Sequence, residues 1–160
     1  MTPAEFSAIE PTRWVLVFQR SSTIWWVRWL NPGRYKHVSA YAYLPGFKAW
    51  LIYEVNLIRT SIVVVPDGQE GLGWLYELTR DSDLVAVKRG AHASVPLLGW
   101  CVPAIARLIG LRSRALRPDR LFRDCIAAGG ELLTVRCPAT AVAQSSGHEI
   151  GPAAVRRAAA

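Results

Sequence analysis

The dipeptide Pro45-Gly46, set between two alternating apolar runs, constrains this chain more than any other feature. Proline presets φ at the second position of a turn, and glycine supplies the positive φ at the third. Tyr35 to Leu44 and Ala49 to Val55 are rich in aromatic and β-branched residues at a period of two, so both are predicted as strands. A hairpin closing symmetrically on Pro45-Gly46 pairs Leu44 with Phe47 and Tyr43 with Lys48. Counting outward, Tyr41 faces Trp50, Ser39 faces Ile52 and His37 faces Glu54. Directly opposed residues share a face of the sheet, so a histidine and a carboxylate become neighbours. The other face carries Val38, Ala40, Ala42, Leu51, Tyr53 and Val55 and is expected to be core. A single bulge would break the pairing by shifting the register.

The remaining elements are short. Trp14 to Phe18 is a predicted first strand, and Ile24 to Leu30 a short helix ended by Asn31-Pro32-Gly33. Ser61 to Val65 is a strand stopped by Pro66-Asp67-Gly68. Gly71 to Arg80 is a helix with Leu72, Leu75, Tyr76 and Leu78 as its apolar set, and Leu84 to Lys88 is a strand. A loop over Gly90 to Gly99 leads to a second helix. There Val102, Ile105, Ala106 and Ile109 recur at helical spacing, Pro103 sits in the first turn and Gly110 marks the end. A third helix opens at Arg117-Pro118-Asp119, presents Leu121, Phe122, Cys125 and Ile126, and stops at Gly129-Gly130. Glu131 to Arg136 is a last strand. The predicted fold is α+β, an antiparallel sheet of about five strands packed on helices. One globular domain over 1–137 is expected, followed by an Ala/Ser/Gly-rich tail or partner-binding arm over 138–160 that lacks aromatics.

Cys101 stands at the start of the second helix, where free backbone N–H groups and the helix dipole favour an anion. That placement makes a thiol a better nucleophile; the plain alternative is a packed cysteine, a common fate of free thiols. Cysteine catalysis requires a thiolate, a base and a polar group that orients the base. Cys101, His37 and Glu54 supply these three types, with the Cys101 backbone N–H as one oxyanion donor. The plain alternative for His37 and Glu54 is a half-buried ion pair. His92, nine residues before Cys101, is a second candidate base; His148 lies in the tail. Cys125 fits a core face, and Cys137 has no assigned role.

Composition narrows the remaining choices. The three cysteines form no CxxC pair and no zinc spacing, so neither a metal nor a cofactor is expected. The N-terminus has no basic region before an apolar run, and no stretch is long and apolar enough to be read as a signal peptide or a membrane span. The formal net charge is +7, much of it arginine between Arg107 and Arg123. Arg112, Arg114, Arg117, Arg120 and Arg123 are candidate partner-binding residues for an acidic surface. Nucleic acid is a weaker expectation, because no recognised motif and no interleaved aromatics accompany them.

A cysteine opening a helix that packs on an antiparallel sheet resembles the papain-like fold. The order histidine, acid, cysteine is similar to its circularly permuted branch, which includes cell-wall endopeptidase-like and acyltransferase-like proteins. The segments Arg34-Tyr35-Lys36-His37-Val38, Cys101 to Leu111 and Arg117 to Arg123 further resemble small proteins of phage and prophage genomes. The resemblance covers residues 34–125. It implies His37 as base, Glu54 as orienting residue and Cys101 as nucleophile. Trp100 stands where the family pattern has a small or polar residue, and Glu54 is longer than the more usual third member. The first expectation is therefore a virion structural protein of the tail or head-to-tail region, with other virion proteins or further copies as partners, located in the virion or host cytoplasm. The alternative is an active cysteine hydrolase, an amidase or endopeptidase with peptidoglycan as one substrate. The third is a basic module that binds nucleic acid or an acidic protein.

Overall fold

The structure, a computed structural model, describes residues 11–22, 32–56, 59–90 and 100–133. The sequence-predicted helix over 24–30, His92, Cys137, His148 and the 138–160 arm lie outside the described residues. In chain order the elements are β1 (Arg13–Gln19), β2 (His37–Leu44), a 3-10 turn (Pro45–Phe47), β3 (Ala49–Val55) and β4 (Thr60–Pro66). They continue with α1 (Gln69–Thr79), β5 (Ser82–Lys88), α2 (Cys101–Leu108), α3 (Pro118–Ala127) and β6 (Glu131–Leu133). Among the described residues the sheet has six strands in the order β4-β3-β2-β1-β5-β6, every neighbouring pair antiparallel. The fold is α+β, and the six described strands all fall on stretches read as strands from sequence, against a predicted sheet of about five. No helix among the described residues is long and apolar enough to cross a membrane.

The sheet has two covered faces. Under α2 and α3, Leu16 and Phe18 of β1, Val38, Ala40 and Ala42 of β2, and Val85 of β5 meet Val102, Ile105, Leu121 and Cys125. Complete burial of Ile105 and Leu121 contributes roughly 1.5–3 kcal/mol each. The predicted apolar faces of α2 and the hairpin hold here. Ile126, expected on the core face of α3, is 39% exposed, because Leu121 and Cys125 already fill the contact. On the other face α1 adds a smaller cluster of Val17, Tyr41, Ile52, Leu75 and Leu84. Of the four apolar residues predicted for α1, only Leu75 is buried; Leu72 and Leu78 are exposed.

Both α2 and α3 end as their glycines predict. Gly110 (φ 65) donates to Arg107 O while Leu111 donates to Ala106 O, and Gly129 (φ 87) and Gly130 donate to Ile126 O and Cys125 O. These are paired bonds of the Schellman type, which satisfy the last helical carbonyls.

The hairpin register differs from the symmetrical one. Leu44 pairs with Ala49, Tyr43 with Trp50 and Tyr41 with Ile52. Pro45–Phe47 winds into a 3-10 turn, and the positive φ falls on Lys48 (φ 45), not on Gly46. The connection is therefore two residues longer than a Pro-Gly turn alone. A slip of two preserves the faces, where a slip of one would have inverted them. Continued outward, this register sets Glu54 across from Ser39 and diagonal to His37.

Candidate active site

His37 opens β2, opposite the last residue of β1, Gln19. Tyr35 and Val38 both enter the core under α2 and α3 although three positions separate them. Strict alternation would place them on opposite faces. The alternation is interrupted between them, where β2 begins at His37. The His37 side chain is only 13% exposed.

The ring has two neighbours of functional type. His37 Nε2 lies 3.3 Å from Glu54 Oε1. The diagonal spacing is within reach because glutamate is long, and the contact is an ion pair more than an aligned hydrogen bond. Asn56 Nδ2 also donates to Glu54 Oε1, at 3.4 Å. The second neighbour is the Cys101 thiol. Burial disfavours the charged ring, but interactions with Cys101 and Glu54 outweigh it and hold the His37 pKa up at about 9. The interaction with His37 in turn lowers the Glu54 pKa against the opposing effect of burial. The three residues singled out from sequence are thus brought together, with His37 between the other two.

Cys101 is the first residue of α2 and is half-buried. Trp100, also half-buried, packs against the core as the helix N-cap, and its own side chain makes no capping hydrogen bond. Pro103 has no N–H to offer, so the amides of Cys101 and Val102 are the orphan donors of this first turn. A cleft of about 470 Å³ opens on the other side of the ring, lined by His37 and Glu54 with Gln19, Asn56, Glu77 and Asp81 among others. Cys101 is not part of that lining; it stands on the α2 side of His37.

The chain before His37 is tied down from two elements that sequence patterns did not connect to it. Asp119, in the first turn of α3, accepts from Arg34 N at 2.8 Å and Tyr35 N at 3.4 Å. A Cβ on Gly33 would sit 1.9 Å from Asp119 Oδ2, so glycine is required for this approach. Asp83 of β5 accepts from the Tyr35 hydroxyl and pairs with Arg20 at 2.6 Å and Arg34 at 2.9 Å. Burial and the Asp83 bond push the Tyr35 hydroxyl up to about 12. The Tyr35 ring packs on Phe18 and Phe122, with centroids 5.4 and 5.0 Å away. Pro118-Asp119 reads from sequence only as a helix start; that it reaches back 85 residues is a tertiary fact. Asp119→Ala is expected to cost roughly 1.5–3 kcal/mol, the range for hydrogen bonds to a charged group. It should also slow alkylation of Cys101, since it frees the segment that sets His37; equal rates in wild type and variant would show that the clamp does not position the ring.

Other candidates are placed apart. Cys125 is fully buried in α3, and burial pushes its thiol up to about 12, as suits a packed residue. Arg107, Arg112, Arg114, Arg117, Arg120 and Arg123 are all exposed along α2, α3 and their connection. Arg120 pairs with Asp124 at 2.9 Å within its own helix. No group of three metal-ligating side chains occurs among the described residues. Comparison with models of known protein families, with curated proteins and with solved structures finds no match to this chain.

Proposed function

We propose that this protein is a cysteine-dependent acyl hydrolase, with Cys101 as nucleophile, His37 as the proton carrier and Glu54 as the orienting residue. The observation that carries it is the placement of one nearly buried imidazole between a helix-initiating thiol and a carboxylate. His37 Nε2 lies beside Glu54 Oε1, and the same ring interacts with Cys101. Cys101 passes its proton to His37, and Sγ attacks the carbonyl carbon of an amide or ester, turning the C=O into a tetrahedral oxyanion. The developing oxyanion is met by the Cys101 N–H, and His37 delivers its proton to the leaving nitrogen or oxygen as that bond breaks. Water, deprotonated by His37, then cleaves the thioester and restores the thiol and an acid product. The order His37, Glu54, Cys101 on a sheet followed by a helix supports a permuted papain-like arrangement, and an amide of peptidoglycan is the substrate class that this resemblance suggests.

The test is the rate of Cys101 alkylation by iodoacetamide at pH 7, followed by peptide mass spectrometry with Cys125 as the buried reference. His37→Ala should slow Cys101 by about tenfold or more as the thiolate fraction falls, and Glu54→Gln by less. With p-nitrophenyl acetate, an acyl adduct should form on Cys101 and decay only when His37 is present. A rate indifferent to His37 would reduce Cys101 to a packed cysteine and end the hydrolase proposal.

A virion structural component is the second reading, with the site reduced or idle. The observation in its favour is the apolar surface of α1, where Leu72, Trp74 and Leu78 are 48%, 45% and 38% exposed. A lone domain gains nothing from such a surface, whereas an assembled one covers it. An anionic partner on the α3 arginines, a protein surface before nucleic acid, belongs to the same reading.

A further inference from the structure

β4 is the outer strand of the sheet, and no described residue pairs with its free edge. Proteins protect such edges with lysine, inward charges, bulges or very short strands, since an open row of N–H and C=O groups recruits other strands. Of the devices that blunt an edge, β4 has a single proline, at its last residue. It runs seven residues from Thr60 to Pro66 without a charge or a bulge. Ile62 and Val64, on the α2 side of the sheet, are 65% and 58% exposed, and Val63 on the α1 side is 39% exposed. Proline occurs only at the last position, where a missing N–H costs one terminal bond.

We propose that β4 pairs antiparallel with β4 of a second copy, about a two-fold axis through Val63, so that two sheets join into one. The sequence around that axis is self-complementary. Val63 meets its own mate, and Ile62 meets Val64 on the same face, extending one apolar surface across the junction. Thr60 meets Pro66, where the missing N–H does least harm. One residue beyond each end, exposed Arg59 of one copy meets exposed Asp67 of the other, because both lie four positions from Val63. Asp67 gives one oxygen, Oδ2, to the Tyr43 hydroxyl at 2.7 Å and keeps Oδ1 for the guanidinium. A partner of different sequence would not be expected to match apolar residues, proline and charges at both ends. The two-fold arrangement closes, so it yields a dimer and not a fibre. It is independent of the Cys101 site.

Sedimentation velocity on the full chain, from about 1 to 100 µM, tests it down to a weak, micromolar dissociation constant. A dimer is expected. Val63→Lys places two ammonium groups on the axis and should raise the dissociation constant by about tenfold or more, a penalty of some 1.4 kcal/mol. Asp67→Arg brings two guanidinium groups together at each end and should also weaken the dimer; adding Arg59→Asp should restore it. That rescue decides the matter even if Val63→Lys fails to fold. A wild-type monomer throughout the range, as when another segment of this chain already covers the edge, overturns the proposal. So does a dimer indifferent to Val63→Lys, or a charge reversal without rescue.

Discussion

Gly110→Ala should be among the most damaging single-methyl changes in this protein, lowering stability by about 2–5 kcal/mol. Two costs add. The residue sits at φ 65, where a Cβ costs about 1–2 kcal/mol. That Cβ would also lie 2.2 Å from Gly90 O and 2.6 Å from Gly90 C, and these are backbone atoms that cannot rotate aside. Forcing them apart costs a further 1–3 kcal/mol or so. The contact is mutual, since Gly90 N donates to Ile109 O at 2.8 Å and a Cβ on Gly90 would sit 2.5 Å from Gly110 O. Here the end of α2 is fastened to the chain leaving β5. Gly129→Ala is the matched control, for its φ of 87 carries the conformational cost while nothing lies within 4 Å of its Cβ. In thermal unfolding followed by circular dichroism, Gly110→Ala should fall about 10 °C, and Gly129→Ala only a few degrees. Equal losses would mean that the glycine-on-glycine contact does not hold α2. Because α2 carries Cys101 at its other end, Gly110→Ala should also slow Cys101 alkylation.

Raising the pH from about 6.5 to 10 should weaken the fold more in the wild type than in His37→Gln. His37 titrates at about 9 in the folded protein, above its ordinary 6.5. The native state therefore binds the proton more tightly than the unfolded chain. Its contribution is complete below about pH 6.5 and is lost as the pH climbs through 9. At 1.36 kcal/mol for each unit, the loss is about 3 kcal/mol. The Glu54 carboxyl, held below the usual range, works in the opposite direction: its share is present above the ordinary carboxylate pKa and lost as the pH falls through the lowered one. The pair thus stabilises most between these limits. Cys125, Tyr35 and Tyr41, all pushed up to about 12, add a loss above about pH 9 that both proteins share. Urea unfolding midpoints at half-unit steps should fall for the wild type across pH 7 to 9, while the variant stays flat there. Parallel curves would show that the His37 pair does not set the pH dependence. The same proton bears on catalysis, because an imidazolium that delivers its proton to a leaving group is lost above about pH 9.

Local patterns and tertiary packing divided the work on this chain unevenly. Period-two runs, the glycines after two helices and the prolines in their first turns determined every described strand and helix to within a few residues. These signals act over one turn or one pleat, where backbone sterics and a single hydrogen bond decide. The same patterns set Val38, Ala40 and Ala42 against the cysteine helix and put His37 and Glu54 on one face. The hairpin register was not legible. It turned on whether Pro45-Gly46 closes alone or winds into a 3-10 turn with Lys48 left-handed, a small difference that the packing of Tyr43 on Trp50 and of Ala42 on Leu51 decides. The fate of α1 was hidden too, because an amphipathic stripe says that a face is apolar but not how much sheet is left to cover it. Asp119 and Asp83 were the furthest from view. Each is an ordinary surface type whose meaning comes from a segment 48 to 85 residues away. The sequence by itself determined the elements, the faces and the chemical types at the site. Only the tertiary structure decided that Cys101 and Glu54 both meet one histidine, because that meeting depends on the hairpin register and on α2 lying across the sheet.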